Sequence, residues 1–203
     1  MTLVVSGAGV GATAARPAVA APRAAVLAVA AGCAALTARP LLVEVSGGRG
    51  PAPVLTVLFL CLLVVSVLWP AGGRTATTTS TGTTFPVLAL GIAAFVVGRV
   101  LVAGAPPPAP ATALVVGLNT LAAVAEEAFF RRLVYGALLA AGPGAAVAGS
   151  SVLFAAVHLT VYGAWVLPLD LAAGLLFGWQ RHATGSWRVP ALTHAVANLL
   201  VVL

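Results

Sequence analysis

From Val100 to Ala125, and again from Leu133 to Leu169, the chain carries no charged side chain. The same is true from Gly50 to Gly73 and from Thr75 to Gly98. A bilayer-crossing helix needs about 20 mostly apolar residues. Hydrocarbon admits only helices and closed barrels, because every backbone N–H and C=O must find a partner within the structure. Charge-free stretches of this length point to an all-α, polytopic transmembrane helix bundle. Composition agrees: 61% of residues are hydrophobic, 7% are charged and the mean hydropathy is +1.12. A soluble domain would carry roughly a quarter charged residues.

Gly, Pro and Thr punctuation divides these stretches into about seven spans of the length a bilayer asks for. They are expected near residues 24–43, 52–70, 85–104, 110–140, 144–162, 164–181 and 187–203. Residues 1–109 then hold the N-terminal spans and loops, and residues 110–203 hold a second bundle. The connector from Arg74 to Thr84 is Thr-rich, that from Gly104 to Pro110 is Pro-rich, and Gly142-Pro143-Gly144 signals a tight hairpin. No internal repeat is visible, so a transporter built from inverted repeats has no support.

The ten basic residues are all Arg, with a formal net charge of +6. Spread thinly over a polytopic chain, they read as loop charge and lipid contact, and nucleic acid is excluded as a partner. Arg16, Arg23, Arg74, Arg181 and Arg188 fall on one side of the expected spans, against Arg39, Arg49 and Arg99. The positive-inside rule then places the N-terminus in the cytoplasm. The absence of Lys beside abundant Ala, Gly, Val and Pro suggests a high-GC bacterial source, hence a plasma membrane. Cys33 and Cys61 lie in apolar stretches and are expected to be buried free thiols. Trp69, Trp165 and Trp187 suit an interfacial aromatic belt, and Arg99 and Asp170 suit snorkelling or capping at span ends.

Half of the acids in the chain, Glu126 and Glu127, are adjacent and follow an apolar run. Burying a carboxylate in hydrocarbon is costly, so two together need a compensating reason. Arg131 lies four residues after Glu127 and shares its helical face, whereas Glu126 points about 100° away and is freer to act. His158 follows Phe154 by one turn in the next apolar segment. If the chain turns at Pro143, Glu126 and His158 stand roughly 25 Å and 22 Å from the turn at the helical rise, nearly level. His194 and Asn198 are again four apart on the last apolar segment. Three helices thus each offer polar groups that hydrocarbon tolerates only if they meet or line a wet cavity. Each group also has a structural reading: His158 as a packing hydrogen-bond donor, Asn198 as interhelical glue, the glutamates as an ion-pair cluster with Arg131 and Arg132.

At these residues the sequence resembles the CPBP family of intramembrane endopeptidases, which includes the CAAX prenyl proteases and the bacteriocin-processing and Abi-type proteins. Glu126, Glu127 and Arg131 match a Glu-Glu-x-x-x-Arg motif, Phe154 and His158 match Phe-x-x-x-His, and His194 and Asn198 match His-x-x-x-Asn. The three occur in order over roughly residues 115 to 203, with Gly174, Gly178 and Pro190 leading into the third. The resemblance implies a membrane-embedded peptide hydrolase of glutamic type that needs no cofactor. Its substrates would be membrane-associated, prenylated or leader peptides. Glu126 and His158 would activate water, His194 and Asn198 would donate to the oxyanion, and Glu127, Arg131 and Phe154 would support them. Glu126, His158 and His194 are also the ligand set of a zinc-dependent alternative. Arg132 departs from the Gly usual in the family, and a second cation there would act on the acids or on an anionic part of the substrate. A proton-coupled transporter using the glutamate pair and a catalytically silent immunity or scaffold protein are the competing functions.

Overall fold

The computed structural model describes residues 22–47, 50–70, 81–101 and 111–202. Arg16, Arg49, Arg74 and most of the Thr-rich and Pro-rich connectors lie outside them. All regular structure among the described residues is helical. The helices are α1 (Pro22–Thr37), α2 (Arg39–Val45), α3 (Ala52–Leu68), α4 (Thr81–Leu101), α5 (Ala113–Glu127), α6 (Tyr135–Leu138), α7 (Pro143–Tyr162), α8 (Leu167–Thr184) and α9 (Arg188–Val202). A π-helical segment, Ala128–Val134, joins α5 to α6.

Helices occupy every place expected of a span. By length and apolarity, however, three of them can cross a bilayer: Thr83–Leu101, Ala113–Ala141 and Pro143–Tyr162. The pair Arg23–Thr37 and Arg39–Val45, bent by 56°, makes a fourth if taken as one span. Ala52–Leu68 and Arg188–Val202 are apolar but shorter, and α8 carries Asp170, Arg181 and His182. The outer surface is apolar, with Leu68, Phe85, Leu101 and Trp165 each more than two thirds exposed. Such a surface suits lipid and not water. The protein is an integral membrane protein.

Local sequence sets the helix ends. The turn before α7 is made by Gly142 at φ 101°, a left-handed conformation that glycine adopts without penalty. Pro143 then starts the helix, where its missing N–H is not needed. The helix α7 packs on α8 and α5 on α9, with α3 beside α5 and α1 beside α7. Close approach of α7 and α8 depends on Gly174: a Cβ there would sit 3.1 Å from both Cα and Cβ of Ser151. Gly178, one turn on, faces Val147 in the same way. Small residues spaced four apart let membrane helices pack backbone to backbone.

The core is aromatic: Phe59, Phe129, Phe130, Phe154 and Phe177 cluster with Leu36, Leu133 and Val157. Phe154 is its hub, edge-on to Phe130 at 5.4 Å and to Phe177 at 6.0 Å. Cys33 and Cys61 are free thiols, but Cys33 is only partly buried and Cys61 is exposed. For Cys61 the expectation of burial fails because α3 is apolar on all sides, so its outward face is as apolar as its inward one.

Candidate active site

Glu126 and Glu127 end α5, 3% and 0% exposed. Each carboxylate meets one arginine and one histidine. Glu127 Oε2 accepts from Arg131 Nε at 3.0 Å, and its Oε1 lies 3.2 Å from His194 Nδ1. Glu126 Oε1 accepts from Arg39 at 3.0 Å, and its Oε2 lies 3.7 Å from His158 Nε2. Two adjacent buried acids are tolerable because each has its own cation; a buried charge left unpaired is strongly destabilising.

Glu126, Glu127, Arg131, Phe154, His158 and His194 come together from α5, the π segment, α7 and α9, whereas Asn198 on α9 bonds to the backbone of α5. Arg131 is fully buried in the π segment. It donates to Ser150 Oγ at 2.9 Å, and its guanidinium lies 5.5 Å from the centroid of the Phe154 ring and 5.9 Å from that of Phe177. Phe154 therefore covers the arginine while touching both histidines, at 4.7 Å from His158 and 5.7 Å from His194. His194 also stacks on Phe177 at 4.9 Å. Asn198 Nδ2 donates to the Asn119 backbone carbonyl at 3.1 Å, tying α9 to α5.

His158 Nδ1 lies 2.7 Å from the Phe154 carbonyl. A carbonyl only accepts, so Nδ1 carries a proton and Nε2 is the ring nitrogen that faces Glu126. Asp170, expected as a capping residue, lies in the first turn of α8 with Oδ2 3.9 Å from His158 Nδ1.

Arg132 takes no part in this cluster. Its guanidinium donates to the carbonyls of Ser66, Val67 and Trp69. It satisfies the open C-terminal end of α3 and is spent there, which removes the expected action on the acids. Arg99 and Arg181 are likewise engaged, with the carbonyls of Leu200 and Arg131.

Sequence reasoning missed Arg39, Ser150 and Phe177. In the sequence Arg39 reads as a loop charge, yet it falls inside the expected span 24–43, and an ionisable residue within a span is itself a sign of a functional site. Among the described residues no three His, Cys, Asp or Glu side chains form a group able to hold a metal ion. A cavity of about 350 Å³ adjoins the cluster, lined by Arg39, Leu55, Phe59, Asn119 and Tyr162 among others. Tyr162 stacks on His158 at 5.8 Å.

The family described as "Type II CAAX prenyl endopeptidase Rce1-like" matches residues 108–200. Over that segment, a little under half of the chain, the protein is similar to the CAAX-type endopeptidases. The residues of all three motifs, from Glu126 to Asn198, lie within it, whereas Arg39 lies outside. No curated protein and no solved structure matches the chain.

Proposed function

We propose that this protein is an intramembrane endopeptidase of glutamic type, which hydrolyses membrane-associated peptides such as prenylated or leader peptides. One observation carries the reading: Glu126 Oε2 and His158 Nε2 face each other at 3.7 Å, too far for a direct hydrogen bond and both acceptors when ionised and neutral respectively. A water set beside the pair donates one O–H to each, and its oxygen lone pair is left for attack. Its oxygen bonds to the scissile carbonyl carbon while its proton passes to Glu126. Collapse of the tetrahedral intermediate breaks the C–N bond, and Glu126 returns the proton to the leaving amine.

His194 and Asn198 are suited to the oxyanion. Glu127 accepts at Nδ1 of His194, and Nε2 donates when the ring also carries its second proton. The Asn198 amide has two N–H groups and gives one to Asn119. The cavity beside Arg39 and Tyr162 is the natural approach for a peptide. We place the chain in a bacterial plasma membrane with the N-terminus in the cytoplasm, as the basic residues Arg16, Arg23 and Arg74 favour.

The test compares peptide termini by mass spectrometry in membranes carrying the wild-type chain and membranes carrying Glu126→Ala. Juxtamembrane termini that disappear with the substitution establish proteolysis and assign Glu126. Identical termini at equal protein abundance favour a silent scaffold.

A further inference from the structure

The helix break at Ala38 lies beside the arginine that pairs with Glu126. Pro40 has no N–H and its ring clashes with the carbonyl four residues back, that of Leu36. The backbone bends there by 56°, and two carbonyls at the end of α1 are taken by side chains. Arg39 Nε donates to the Leu36 carbonyl at 3.0 Å, and Thr160 Oγ1 donates to that of Thr37 at 2.8 Å. The first of these bonds fixes the plane of the guanidinium. Its NH1 then meets Glu126 Oε1, 87 residues along the chain.

We infer that Arg39, aimed by the Pro40 break, is a positioning residue for Glu126, so that the catalytic cluster is completed from outside the family-matched segment. The inference rests on the endopeptidase reading. Arg39 occupies Oε1 and leaves Oε2 facing His158, which divides the carboxylate into a held oxygen and a reacting one. A lysine keeps the charge but has no planar fork to bond Leu36 and Glu126 together. Phe59, under the guanidinium at 5.8 Å, completes the seat.

The experiment uses the full-length protein in detergent and a quenched fluorescent peptide copied from a Glu126-dependent cleavage junction. Arg39→Gln is expected to lower kcat by roughly 100-fold, the scale of misplacing a reacting group by about 1 Å, with KM little changed. Arg39→Lys recovers part of the loss. Pro40→Ala lowers kcat although every charged group is retained, because a straight helix gives the Leu36 carbonyl a backbone partner and releases Nε. Wild-type kcat in folded Arg39→Gln overturns the inference. If Arg39→Gln does not fold, wild-type kcat in both Arg39→Lys and Pro40→Ala overturns it. Cleavage that is equal in wild type and Glu126→Ala sinks the endopeptidase reading instead.

Discussion

His194 Nδ1 lies 3.2 Å from Glu127 Oε1, so the histidine of the last helix is oriented by the acid that does not face His158. Neighbouring glutamates therefore have separate duties. Glu126 pairs with Arg39 and faces His158, while Glu127 binds Arg131 and His194 into one frame.

Glu127→Ala should destabilise the protein by about 3 to 5 kcal/mol, since it leaves Arg131 buried without its counter-ion. Glu127→Gln keeps the shape and should cost less. Thermal unfolding in detergent checks the order, and the cleavage assay should show loss of activity in both.

Phe154→Ala should cost about 3 to 5 kcal/mol as a large-to-small change in a close-packed core. Phe154→Leu retains much of the packing but uncovers the guanidinium and both imidazoles. We expect it to fold with reduced kcat, measured on the same peptide.

Arg132→Gln separates the cap from the site. Loss of a cation at a helix C-terminus should lower stability by up to about 2 kcal/mol, with kcat for the peptide unchanged. A fall in kcat with intact folding would return Arg132 to the chemistry.

Cleavage should survive exhaustive treatment with a zinc chelator. Loss of activity that zinc restores would instead assign Glu126, His158 and His194 as ligands, the common two-imidazole and carboxylate set.

The helices were legible because apolar runs, the Gly142-Pro143 turn and the absence of charge all point to the same elements. The level placement of Glu126 and His158 followed from helical rise alone, and the two side chains do meet. The division of labour between the glutamates was not legible. It depends on which acid His194 reaches from 67 residues away, and no local spacing encodes that. The π segment was equally hidden, since Ala128–Val134 has no Pro or Gly to mark the change of winding. Its effect is to bury Phe129, Phe130 and Arg131 in succession and turn Arg132 toward α3. Gly174 and Gly178 were noted as part of a motif. Their meaning as the contact surface with Ser151 and Val147 needed the partner helix. Arg39 escaped because a span-end arginine and a buried counter-ion look alike until the acid across from it is placed.

Arg39 precedes Glu126 in the chain, and this has a consequence for biogenesis. A ribosome delivers residues in order, so the cation reaches the membrane before the acid. An arginine can wait there with its long side chain stretched toward the headgroups, an option that a short carboxylate lacks. When Glu126 emerges, its counter-ion has already been synthesised, and Arg131 follows Glu127 within about one turn. For Glu126, synthesis therefore proceeds in the sense that delivers the cation first, and a circularly permuted chain that placed α1 last would reverse it.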